Sequence, residues 1–161
     1  MSEEQVRARA ASFIRENYRM ALATANKGAQ PHAAIVNYVV DNQWNIYFLS
    51  RARTQKTANI LENQEASFVI GFDLPISVQG WGKAVRVINE QERERAFQML
   101  EERAGQHDNF WPLPLKVDRF NDVLVRIEPR RLRALVFGDL AESGPDGIAF
   151  VDIVNREKLE N

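Results

Sequence analysis

Apolar residues recur near the start of the chain at Val6, Ala10, Phe13 and Ile14, the spacing of one helix face. They predict a helix from about Glu3 to Glu16, with Ser2 and Gln5 as a capping box. From Arg19 the pattern becomes extended. Ala21 to Ala25 reads as a strand of small residues, His32 to Val40 as a second strand and Trp44 to Ser50 as a third. Asn26-Lys27-Gly28 and Asp41-Asn42-Gln43 supply the turns, so the three segments predict an antiparallel meander. A second helix is expected from Thr54 to Glu62, then strands from Glu65 to Phe72 and from Ile76 to Ile88. The latter contains Gly80 and Gly82, where glycine marks a bulge, a bend or a close backbone approach. Asn89 and Glu92 have capping-box spacing, Ala96, Phe97, Leu100 and Ala104 face one way, and Gly105 ends that third helix.

The remainder is less regular. Gln106 to Asp118 forms a loop carrying Phe110-Trp111-Pro112-Leu113-Pro114-Leu115, and Asp122 to Ile127 and Leu132 to Phe137 read as two final strands around Pro129. Beyond Gly138 a turn cluster, Ser143 to Gly147, precedes Ile148 to Val154, which reads as a short strand, a partner-binding segment or a docked arm. Short strands joined by tight turns and interrupted by helices predict a small, mainly antiparallel β-barrel with helices outside. The strands follow one another too closely for βαβ crossovers, and no Gly-x-Gly-x-x-Gly follows a strand, which argues against a dinucleotide-binding Rossmann domain.

Composition narrows the chemistry. At 161 residues and 45% hydrophobic content the chain suits one domain: an N-terminal helix over 1–18, a barrel with two inserted helices over 19–137 and a tail over 138–161. The net charge of −1 gives no general attraction to nucleic acid or an anionic membrane, so any anion site is local. The absence of cysteine removes thiolate chemistry and cysteine-ligated zinc, and the two histidines, His32 and His107, are far apart without a carboxylate cluster. No apolar run has membrane-spanning length, and Met1-Ser2-Glu3-Glu4-Gln5 lacks the pattern of a secretory signal, so the cytoplasm is the expected address. Three arginines in Glu128 to Arg133 read as a solvated strand edge rather than a nucleic-acid patch.

The most informative segment runs from Ile46 to Leu61, where an apolar strand passes through a basic loop into a helix. Thr54 is the candidate N-cap, which would leave the first helical N–H groups pointing outward, while Arg51, Arg53 and Lys56 add positive charge. A phosphate-bearing ligand fits this arrangement. On its own the segment reads equally as a solvated turn with basic decoration.

From about Phe13 to Phe137 the chain resembles the pyridoxamine 5′-phosphate oxidase-like family of FMN-binding split barrels. The ordered set carries the resemblance: the N-terminal helix, Ala21 to Ala25, Gln30-Pro31-His32, Ile46-Tyr47-Phe48-Leu49-Ser50, Thr54-Gln55-Lys56, Gln79-Gly80-Trp81-Gly82-Lys83-Ala84 and Val125-Arg126-Ile127-Glu128-Pro129. It implies a six-stranded antiparallel split β-barrel with flanking helices, a homodimer with cofactor clefts between subunits, FMN as cofactor and a small-molecule substrate. It also implies that Leu49, Ser50, Thr54 and Lys56 meet the flavin phosphate, and that Ile35, Val36, Asn37 and Tyr38 wall the isoalloxazine, with Asn37 or Tyr38 hydrogen-bonding its edge. Ile35 and Val36 suit core packing equally well. Arg51 and Arg53 join the list as possible bidentate phosphate clamps by their own chemistry.

Departures from the family pattern bear on the reaction. The second-strand cations of the true oxidase correspond to Ala34 and Val39, its helix-entry arginine corresponds to Gln55, and Arg103 stands without a Tyr-Arg-Ser set for a substrate phosphate. The expectation is therefore an FMN-dependent oxidoreductase acting on another small molecule, with a non-catalytic flavin- or haem-binding dimer as the alternative. His107 reads as a proton donor or an exposed loop residue, and Trp111 as a flavin cover or an interface residue.

Overall fold

The computed structural model describes residues 2–73, 75–110, 121–138 and 148–157. In chain order the elements are α1 (Glu3–Glu16), β1 (Arg19–Ala25), β2 (Pro31–Asn37), β3 (Val39–Val40), β4 (Ile46–Arg51), α2 (Gln55–Glu62), β5 (Glu65–Ile70), β6 (Ile76–Arg86), α3 (Glu90–Ala104), β7 (Asp122–Phe137) and β8 (Ile148–Asn155). The capping box at α1 is formed: Ser2 Oγ accepts from Gln5 N–H, and Gln5 Oε1 accepts from Ser2 N–H.

All strand pairs are antiparallel, in the order β2-β1-β5-β6-β7-β4-β3, with β8 added to β7. The terminal strands of that order, β2 and β3, are separated in the chain by Tyr38 alone, so both edges of the sheet belong to one run of residues. Counting that run as one bent strand gives the six strands of a split barrel, with β8 as an addition.

Two expectations need correction. The second and third strands do not form a continuous meander: β2 pairs with β1, and only Val39 and Val40 pair with Tyr47 and Ile46 of β4. The bend between them has a cause in Tyr38, whose N–H donates to Tyr18 O at 2.8 Å and whose hydroxyl donates to Ile14 O at 2.6 Å, drawing the fully buried ring under α1. The two final strands are a single strand, β7, that continues through Pro129. Pro129 is tolerated because the register shifts there, Trp81 facing Arg131 and Gly82 facing Pro129, so Arg130 is the extra residue of a bulge. Of the three readings of the tail, the strand holds: β8 pairs along Arg131 to Phe137.

Alternation sets the core. Met20 and Leu22 of β1, Phe68 and Ile70 of β5, Val78 and Ala84 of β6 and Leu132 and Ala134 of β7 point inward, joined by Val6, Ala10 and Ile14 of α1 and Val151 and Val154 of β8. A second cluster covers the other side of β4 and β7, where Tyr47, Leu49 and Leu124 meet Ala96 and Leu100 of α3. The unbroken burial of Ile46 to Ser50 follows, since that strand is covered on both faces. Replacing Tyr38 by Phe removes the buried donor to Ile14 O and is expected to cost about 1–3 kcal/mol. Urea unfolding at unchanged m-value reads this directly, and an unmoved midpoint would show that the hydroxyl does not brace α1.

Candidate functional site

β4 carries Ser50 and Arg51 to the start of α2, where three hydroxyls converge. Ser50 Oγ lies 2.6 Å from Thr57 Oγ1 and 3.3 Å from Thr54 Oγ1, and the two threonine oxygens are 3.0 Å apart. Thr54 and Thr57 both donate to Arg51 O, at 2.9 and 2.8 Å. Thr54 is the N-cap residue, as expected, but its hydroxyl is turned back to that carbonyl and makes no capping bond. The first N–H groups of α2 thus receive no acceptor from the N-cap side chain, and the positive end of the helix is not neutralised by it.

Lys56 follows immediately. It is half-buried, and burial alone pulls its pKa below the usual lysine value. No carboxylate among the described residues forms an ion pair with it. In the first turn of a helix left uncapped by its N-cap side chain, an ammonium that has lost hydration without gaining a partner among the described residues is suited to an anion.

The other candidates divide. Arg51 is exposed, with Nε 3.4 Å from Oδ1 of the buried Asp122 carboxylate, so its guanidinium is held toward β7. Arg53 is exposed at the same loop. Gln55 donates to Asn59 Oδ1 at 2.8 Å, and Asn59 donates to Thr24 Oγ1 at 3.1 Å, so Gln55 ties α2 to β1. Leu49 packs in the cluster beneath α3. On β2, Ile35 is exposed on the outer face, Val36 is buried, and Asn37 is buried with its amide 3.4 Å from Asn109 O. Tyr38 departs from the flavin-edge expectation: its hydroxyl is occupied by Ile14 O and its ring lies in the core. Trp111 lies outside the described residues.

His107 stacks on Tyr18 with ring centroids 3.8 Å apart, more constrained than an exposed loop residue. Arg103 donates to Arg15 O and Glu16 O and so caps the end of α1. It is not displayed for a substrate phosphate. Sequence reasoning missed Thr57 and Asn59, both 1% exposed. Their signal was a pair of polar residues on the helix face that must meet the barrel. Among the described residues no group of His, Asp and Glu is arranged for a metal ion.

The curled antiparallel sheet, with an anion-receptive helix start beside one strand end, is that of a split barrel. The chain belongs to the pyridoxamine 5′-phosphate oxidase family, whose model matches residues 6–136. Similar solved structures include conserved hypothetical protein Rv2991 from Mycobacterium tuberculosis, at 24% identity over 90% of this chain and 94% of that one, TM-score 0.65. General Stress Protein 26 from Bacillus anthracis aligns at 16% identity over 81% and 93%, TM-score 0.62. A pyridoxamine 5′-phosphate oxidase-related, FMN-binding protein from Nostoc punctiforme aligns at 14% identity over 91% of each chain, TM-score 0.57. No curated protein matches the chain. No helix among the described residues is long and apolar enough to cross a membrane.

Proposed function

We propose that this chain is a cytoplasmic, homodimeric FMN-binding oxidoreductase acting on a small molecule other than a pyridoxamine phosphate. The observation that carries the reading is the start of α2, uncapped by Thr54, together with Lys56 in its first turn, desolvated and without an ion-pair partner among the described residues. In this reading the helical N–H groups and Lys56 hold the flavin phosphate, Ser50 and Thr54 offer hydroxyls to it once Thr54 releases Arg51 O, and Arg53 screens its remaining charge. Ile35, exposed on β2, presents an apolar surface to the ring. FMN would supply hydride or electron transfer; the chain supplies orientation and access.

The commitment of Arg103 to α1 supports a substrate without a phosphate held at that position. Exposed large apolar side chains, Leu61, Phe72 and Ile88 among them, support a second copy covering part of the surface. The haem alternative gains nothing from Tyr38 and Tyr47, whose hydroxyls are taken by Ile14 O and Glu92.

The test is an absorption spectrum of the purified protein, with the mass of any heat-released ligand. Bound FMN, or stoichiometric uptake of added FMN by colourless protein, is expected, followed by reoxidation when reductant and acceptor are supplied. A protein that refuses FMN under all loading conditions would overturn the reading.

A further inference from the structure

The outer face of the sheet holds a second feature that the phosphate site does not use. Strand register sets Ala21 between Ile35 and Val69, and Ala23 between Ala33 and Ser67. Continuing across the sheet, Val69 faces Gln79 and Ser67 faces Trp81. The small side chains in the middle of these rows leave a trough of about 340 Å³, bounded on one side by Trp81. That volume lies in the range of small-molecule sites. No charged side chain among the described residues lines it; Ser67 and Gln79 are its polar side chains apart from the indole N–H.

Trp81 is not a loose surface ring. Its Nε1–H donates to Glu157 Oε1 at 2.8 Å, and the Arg131 guanidinium lies 5.6 Å from the ring centroid. Arg131 is itself held by both carboxylate oxygens of Asp152, at 3.0 Å each, and by Glu157 Oε2 at 3.6 Å. The hydrogen bonds from Arg131 and Arg133 hold the Asp152 carboxyl down at about 2, so the clamp stays charged at neutral pH. Asp152 and Glu157 lie beyond residues 6–136, the part matched to the family. The C-terminal segment thus fixes the wall of a trough that the barrel strands floor.

We propose that the trough is a seat for a planar, uncharged aromatic or quinone molecule, and that Asp152 and Glu157 position Trp81 as its wall. A floor of alanine and serine lets a flat ring approach the sheet closely, the indole supplies a packing surface, and Ser67 or Gln79 can donate to a ring carbonyl. No described cation lines the trough, and Arg131 beside the indole is already paired with Asp152 and Glu157, which disfavours an anionic ligand that would lose hydration without compensation. That the occupant is the substrate of a flavin reaction rests on the function proposed above. Binding of the ring does not.

The probe is menadione, an uncharged bicyclic quinone, measured by equilibrium dialysis against the full chain without added flavin. Saturable binding is expected, weakened at least tenfold by Trp81→Ala, largely restored in Trp81→Phe, and weakened severalfold by Glu157→Gln. Ala23→Leu, which fills the floor without removing the wall, should abolish binding. Lys56→Ala should leave it unchanged, which separates this seat from the phosphate site. Failure of wild-type protein to bind, or equal affinity in Trp81→Ala and Ala23→Leu, would overturn the proposal. So would a change confined to the monomer–dimer ratio in those variants, which would make a second copy the occupant.

Discussion

Gly82→Ala is expected to destabilise the protein by about 3 kcal/mol or more, lowering the melting temperature by roughly 6–12 °C. A methyl group on Gly82 would overlap the Glu128 carbonyl oxygen and come within 2.8 Å of Glu128 C and Pro129 Cα. These atoms are backbone, fixed by the bulge at which β7 passes Pro129 opposite β6, so no rotamer change relieves the overlap. The backbone of Gly82 is not left-handed, which makes the penalty one of space rather than of torsion. Gly80 provides the internal comparison: its added methyl would strike the buried Phe68 ring and Leu132 side chain, whose rotamers can shift at a packing cost where backbone atoms cannot. Gly80→Ala should therefore cost less. Denaturant unfolding of both variants checks the order, and a Gly82→Ala midpoint within about 1 kcal/mol of wild type would mean that the bulge opens freely.

That glycine shows what kind of information the sequence held. Glycine at positions 80 and 82 announced a close approach within the strand, and the strand is there, but its partner was not named. Elements whose burial follows a single period, such as α1, α3, β1, β5 and β6, were legible because one face of each meets one layer. Tyr38 was not, because its effect is tertiary: the ring leaves the strand pattern to reach Ile14 O. Pro129 read as a strand break because the bulge that accommodates it depends on β6.

The candidate site divides along the same line. A strand, a basic loop and a helix entry could be read locally, and the Ser50 and Thr54 hydroxyls lie 3.3 Å apart there, with Lys56 in the first turn of α2. Which cations remain available was decided at a distance. Arg51 is drawn to Asp122 on β7, and Arg103 to the end of α1. Local sequence supplies chemistry, whereas the distribution of partners among arginines is a property of the packed molecule.

Alanine at both Thr54 and Lys56 should weaken FMN binding by about 2–4 kcal/mol, roughly 30- to 900-fold, if the phosphate meets both groups. Loss of Lys56 is the larger part, because burial holds its ammonium in a poorly hydrated position that a phosphate would compensate. The sign of the pH dependence follows. In free protein burial lowers the Lys56 pKa, whereas a bound phosphate favours the charged form and raises it again, so binding takes up a proton between the two values. FMN affinity should therefore fall as alkaline pH passes through the lowered pKa of free protein, and this slope should vanish in Lys56→Ala. Riboflavin, which has the ring and no phosphate, should bind wild type and double variant alike. Equal loss of riboflavin and FMN would indicate a disrupted loop, and unchanged FMN affinity would remove the anion site from the start of α2. A selective loss of FMN, with the alkaline slope gone, requires the phosphate to lie where the helix and Lys56 converge.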